Sequence, residues 1–187
     1  MNIRDIGWDS DFAESFANYA VQGLRPARVI VRNRNEYRLI GSDGEFSARL
    51  TGKLDRSATT GGMLPVVGDW VAVQIEDGFY GSTIRAVIPR RSSVSGITAG
   101  KRADKQVLAA NIDTLFIVDG LDGNFKQHRL EHCLNVTSDI KVICVSAMTG
   151  QDLDQLRPFI QKGKTLAFIG SSGIGKATSV NCLLSVV

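Results

Sequence analysis

Leu166-Ala167-Phe168-Ile169, followed at once by Gly170-Ser171-Ser172-Gly173-Ile174-Gly175-Lys176, reads as a buried strand, a glycine-rich loop and the first residue of a helix. The order matters more than the glycines alone. Glycines let successive backbone N–H groups turn onto phosphate oxygens, and the helix behind them adds the positive end of its dipole. Lys176 is placed to reach the β and γ phosphates of a nucleotide. Gly170, Ser171, Ser172, Gly173, Ile174, Gly175, Lys176, Ala177 and Thr178 are therefore the candidate phosphate-binding residues. The position after the lysine ordinarily carries Ser or Thr, whose hydroxyl ligates Mg2+, and Ala177 has none. Thr178 is one residue further on, turned by about 100° around the helix axis, and is not expected to replace it.

The 187 residues, 43% apolar and 22% charged, suit a globular protein of one or two domains and exclude disordered or collagen-like classes. Apolar runs such as Leu115-Phe116-Ile117-Val118 are far too short to span a bilayer, and no apolar signal core follows Arg4 and Asp5. A cytoplasmic location with no membrane partner is the expectation. Three cysteines, Cys133, Cys144 and Cys182, show no C-x-x-C spacing, so the sequence supports neither a disulfide framework nor a zinc knuckle.

Upstream of the loop the chain divides. Residues 1–26 form a helical segment, in which Phe12, Phe16 and Tyr19 fall at helical spacing behind an Asp9 or Ser10 cap. Residues 27–91 carry five short β-type runs, at 28–31, 36–40, 45–50, 70–75 and 82–88. Turn signals at Asn33-Arg34-Asn35, Ser42-Asp43-Gly44, Val67-Gly68-Asp69 and Glu76-Asp77-Gly78 separate them. The expectation is an all-β barrel of the OB type, an architecture that often binds RNA. A basic linker, 92–105, opens with a flexible segment from Ser92 to Lys101 and leads to an α/β region, 106–187. There Asp113–Val118 and Lys141–Val145 read as parallel strands, with helices at Phe125–Leu134 and Asp152–Gln161. The net charge of +3 is uneven. Arg85, Arg90, Arg91, Lys101, Arg102 and Lys105 face only Asp104 between residues 81 and 105, a basic stripe that suits either RNA phosphates or plain solvation.

Two other patterns carry less. His128-Arg129-Leu130-Glu131-His132 has the H-x-x-E-H form of an inverted zinc-protease motif, but no Glu follows Glu131 to act as third ligand, so solvent-facing histidines are expected. Asp119 and Asp122 border Gly120 and are read as turn formers.

Barrel first, base-recognition region next and phosphate loop last is an order that resembles the circularly permuted GTPases of the RsgA/YjeQ type. The resemblance is carried by Val67-Gly68-Asp69-Trp70-Val71, Pro89-Arg90-Arg91-Ser92, Ala109-Ala110-Asn111-Ile112-Asp113, Val145-Ser146-Ala147 and Gly170 to Lys176. It implies an OB-type barrel followed by an incomplete, permuted P-loop GTPase domain. It also implies GTP or GDP with Mg2+ at the loop, Ser146 and Ala147 beside the guanine, and action on the small ribosomal subunit and its rRNA rather than on DNA. The family's Asn-Lys-x-Asp signature is absent between Leu134 and Lys141, as though a segment were deleted. The γ-phosphate loop and the zinc-binding domain expected after the helix have no counterpart before Val187. With Ala177 weakening the metal site, hydrolysis is expected to be lost and no catalytic residue is assigned. The rival reading is a non-catalytic RNA-binding barrel with a vestigial phosphate loop. A P-loop kinase or ATPase is disfavoured by the permuted order.

Overall fold

A computed structural model describes residues 1–33, 36–52, 64–76, 81–97, 105–118, 141–145, 153–170, 173 and 175–184. Five strands close into a barrel: β1 (Arg25–Arg32), β2 (Tyr37–Gly41), β3 (Gly44–Leu50), β4 (Trp70–Gln74) and β5 (Ser82–Val87), in the order β1-β2-β3-β5-β4. β1 closes antiparallel on β4, and β3 meets β5 in parallel, so no edge is left open. Alternation along the strands fills the interior with Ala27, Val29, Tyr37, Leu39, Ala48, Val71, Val73 and Ile84.

The strand β4 breaks that alternation, since Trp70, Val71, Ala72 and Val73 are all fully buried. Val71 and Val73 belong to the barrel interior. Trp70 and Ala72 face outward and are covered by the helix α1 (Ser10–Ala20) through Phe12 and Phe16, together with Ile88. Trp8 wedges beside them, its ring centroid 4.7 Å from that of Trp70 and 5.6 Å from that of Phe16. α1 starts where it does because the Asp9 carboxylate accepts from the N–H groups of Asp11 and Phe12, as the cap reading anticipated.

The interval read as a flexible segment holds a strand instead. β6 (Ser93–Ile97) pairs antiparallel with β7 (Lys105–Ala110) in a two-stranded arm. Beyond it, β8 (Thr114–Val118), β9 (Lys141–Val145) and β10 (Leu166–Ile169) form a parallel sheet in the order β10-β8-β9. One face packs Leu115 with Val94, Ile112, Ala167 and Ile169, and the other packs Phe116 with Phe168 and Leu156. The helix expected at Asp152–Gln161 is a tighter 3-10 helix, Leu153–Phe159. Pro158 lies inside it, where an α-helix would lose an N–H and clash with the preceding turn. The helix α2 (Lys176–Leu184) follows the glycine-rich loop. The expected helix at Phe125–Leu134 lies outside the described residues, as do His128, His132, Asp119 and Asp122. No helix among the described residues is long and apolar enough to cross a membrane.

Candidate functional site

The parallel register aligns Ile169 with Ile117 and Ile117 with Cys144, so the chain leaves β10 and β9 at the same edge of the sheet. This is the carboxyl edge, where open α/β sheets bind ligands. Gly170 continues from β10 there. Gly173 and Gly175 both take positive φ, +80° and +94°, a conformation that lets a backbone turn its amides inward at little steric cost. Among the described residues, no heavy atom lies within 4 Å of where a Cβ on Gly173 would stand, which leaves room on that side for close approach to the backbone. Lys176 Nζ donates to Gly170 O at 2.9 Å, so the ammonium bridges the two ends of the loop. Such a loop fits a polyphosphate.

It fits Mg2+ poorly. Ala177 and Thr178 are exposed at the start of α2, and the next hydroxyl is turned back into the helix. Ser179 is buried, and its Oγ donates to Gly175 O at 3.0 Å. Ser171, Ser172, Ile174, Ser146 and Ala147 lie outside the described residues. Among the described residues no group of three His, Cys, Asp or Glu is placed to hold a metal ion.

The basic stripe is not one continuous solvent-facing band. Arg85 is exposed and its guanidinium donates to Gln74 Oε1. Arg90 is turned inward: its side chain is 9% exposed, and it donates to both oxygens of Asp69 and to Leu64 O. Burial of Asp69 draws Arg90 in, so this residue is withdrawn from the set presented to a partner. Arg91 pairs with the Asp9 carboxylate and lies over the Phe12 ring, 3.9 Å from its centroid. That contact holds the Asp9 carboxyl below the usual carboxylate range and raises Arg91. Lys101 and Arg102 lie outside the described residues, and of Lys105 only the backbone, in β7, is described.

The sequence reading did not single out the junction between barrel and sheet. Gly68 has φ +92°, and a Cβ on it would stand 2.0 Å from Ala110 O, so only glycine lets the barrel loop reach β7. Val67 bridges Ala109, and Ala110 N donates to Val67 O at 2.9 Å. Asn111, at φ +55°, donates from Nδ2 to Gly68 O and accepts from Arg91 N, while Ser92 and Ile112 exchange two hydrogen bonds of 2.7 Å. The three motif segments 67–71, 89–92 and 109–113 therefore meet at one place.

Arg28, from β1, sits in the middle of it and is 9% exposed. It donates from Nε to Gly68 O at 3.2 Å, from Nη2 to Asn111 O at 3.2 Å and to Thr165 Oγ1 at 2.6 Å, and from Nη1 to Ile6 O. Burial lowers its pKa, opposed by the charges of Asp113 and Asp69, yet a guanidinium stays cationic at neutral pH. A cleft of about 850 Å3 opens beside it, lined by Trp8, Arg91, Asn111, Asp113 and Lys164 among others. A charged residue on the outward face of a barrel strand was the available signal, but its partners lie up to 137 residues away.

Residues 135–187 match the RsgA GTPase family model. The chain is 33% identical to the small ribosomal subunit biogenesis GTPase RsgA of Opitutus terrae, covering 98% of this chain and 61% of that protein. It is 36% identical to the protein of the same name from Syntrophotalea carbinolica, covering 98% and 60%. The chain thus spans about three fifths of the length of these relatives. The Opitutus match runs over 223 aligned positions, more than the 187 residues here, so gaps open in this chain within the matched span. Among solved structures, YjeQ from Thermotoga maritima superposes with a TM-score of 0.52 at 17% identity, covering 86% of this chain and 65% of that one. The circularly permuted GTPase YloQ gives 0.53 at 17% identity, covering 87% and 65%. These likenesses support the fold, an OB barrel followed by part of a permuted P-loop domain.

Proposed function

From its membership of the RsgA GTPase family, which the chain shares with its small-subunit biogenesis relatives, we propose that this protein binds a guanine nucleotide and works in assembly of the small ribosomal subunit. In this reading residues 27–91 dock on rRNA, helped by exposed Arg85 and Arg91, and residues 106–187 hold GTP or GDP. The observation that carries it is the loop at the carboxyl edge of the parallel sheet, with two positive-φ glycines and Lys176 spanning its mouth. Backbone amides and the helix N-terminus would hold the phosphates, and Lys176 would leave Gly170 O for a phosphate oxygen. Ser146 and Ala147 would border the base.

Mg2+ would supply charge neutralisation between the β and γ phosphates. With Ala177 at the ligand position and the Ser179 hydroxyl committed to Gly175, the chain's own residues give that ion little hold. We infer slow or absent turnover. Base selectivity is relaxed as well, because no Asn-Lys-x-Asp stands between Leu134 and Lys141. The protein is taken to act in the cytoplasm, without DNA or membrane partners. The same features favour a second reading, an RNA-binding barrel whose loop no longer takes nucleotide.

Titration with fluorescent GTP, GDP and ATP, with and without Mg2+, separates the two. Binding of GTP and GDP with little Mg2+ dependence is the expected result. No binding of any nucleotide at millimolar concentration leaves the second reading. A parallel RNA titration over a salt series tests the barrel's role, since phosphate contacts weaken steeply with salt.

A further inference from the structure

Arg28 is a costly residue to bury. Its acceptors are three backbone carbonyls and one hydroxyl, all neutral, and no carboxylate among the described residues forms an ion pair with it. With only the nearby charges of Asp113 and Asp69 and the face of the Trp70 ring to offset its desolvation, rather than a directly bonded carboxylate, the buried cation is a weak source of stability by itself. What the guanidinium does accomplish is geometric. Its planar fork joins the segment before α1, the barrel loop at Gly68, the turn at Asn111 and the hydroxyl of Thr165.

Thr165 is the residue from which β10 departs. Its N–H donates to Asp113 Oδ2 at 2.8 Å, and its carbonyl accepts from Asp113 N at 2.9 Å and Thr114 N at 3.2 Å, which fixes it at the base of the central strand as well. Four residues of β10, about 13 Å of hydrogen-bonded strand, separate it from Gly170. A paired strand transmits displacement along its length, so the position of Thr165 sets that of the loop's first residue.

We propose that Arg28 is a positioning residue for the phosphate loop: by gripping the Thr165 hydroxyl it ties the barrel to β10, so that a partner engaging the barrel alters nucleotide affinity at Gly170–Lys176. The proposal rests on the nucleotide-binding reading above. Linkage makes the effect reciprocal, and nucleotide at the loop alters the barrel's affinity for its partner by the same factor.

The test measures the Kd of fluorescent GDP for the full chain with and without saturating small ribosomal subunits. The unsubstituted chain is expected to show a ratio of about 5-fold or more between the two. Thr165→Val keeps the β-branched shape, removes the acceptor, and should bring the ratio close to 1 in a variant that still binds GDP. Thr165→Ser restores the hydroxyl and should restore the ratio, a rescue that a purely structural role would not produce. If melting shows Thr165→Val to be unfolded, Arg28→Lys, which keeps the charge but not the fork, carries the same comparison. A ratio unchanged in the variant overturns the proposal, as does a ratio of 1 in the unsubstituted chain that binds GDP. Failure of the unsubstituted chain to bind GDP is a different outcome, which overturns the nucleotide-binding reading and this inference together.

Discussion

Asp69 receives two arms of Arg90, at 2.7 Å from Nε to Oδ1 and 2.6 Å from Nη2 to Oδ2, and its side chain is wholly buried. Its Oδ2 accepts Val66 N as well, at 2.8 Å. The pair locks the turn ahead of β4 to the segment after β5. Removing either partner strands a buried charge, so Asp69→Ala and Arg90→Ala are each expected to cost about 3–5 kcal/mol in urea unfolding. The double variant should cost less than the sum of the two.

Because that arginine is spent internally, its loss should not change how RNA binding responds to salt. Arg85→Ala, at an exposed position on β5, should instead reduce the slope of log K against log salt by about 1. Equal salt slopes for Arg85→Ala and the unsubstituted protein would remove Arg85 from the RNA-facing surface.

Gly68→Ala tests the junction. The added methyl would stand 2.0 Å from a backbone oxygen, and φ of +92° is itself unfavourable for alanine. Overpacking against backbone together with the conformational penalty predicts a loss of about 3 kcal/mol or more. Retention of full stability would mean that β7 moves away easily and that the junction is loose.

Acid should weaken the N-terminal helix. The Asp9 carboxyl titrates below its usual range because Arg91 holds its charged form, so its contribution to stability is present above the ordinary carboxylate pKa of about 4 and is lost as pH falls through the lower folded value. Asp9→Asn keeps a good cap but gives up the charge. Its melting temperature should therefore change less between pH 6 and pH 2 than that of the unsubstituted protein, a comparison made by circular dichroism.

At the loop, Lys176→Ala removes the ammonium and should weaken GDP binding by about tenfold or more, the worth of one charge-assisted hydrogen bond. Ala177→Ser should restore a Mg2+ ligand and with it a Mg2+-dependent gain in affinity for GTP. A serine variant indifferent to Mg2+ would show that the hydroxyl at 177 is not the missing element.

Much of this architecture was legible in the chain because it rests on local signals. Short β-type runs between turn signals marked β1 to β5, the spacing of Phe12 and Phe16 marked α1, and strand, glycines and lysine marked the loop. The β6 strand was hidden by its composition, since Ser92, Ser93, Ser95 and Gly96 read as a linker and its pairing with β7 is not local. The 3-10 helix was overcalled as an α-helix because the apolar spacing outweighed Pro158. Arg28 and Thr165 could not be joined by any pattern, because their contact depends on how barrel and sheet dock.

The double-sided burial of β4 bears on how the molecule can be divided. Cutting before Ala27 looks natural on paper, since the first barrel strand begins about there. It would lay bare the indole of Trp70 and the greasy patch around Ala72, turning a sealed cylinder into one with a sticky flank. Whoever wishes to express the barrel by itself should keep the opening twenty-odd residues attached.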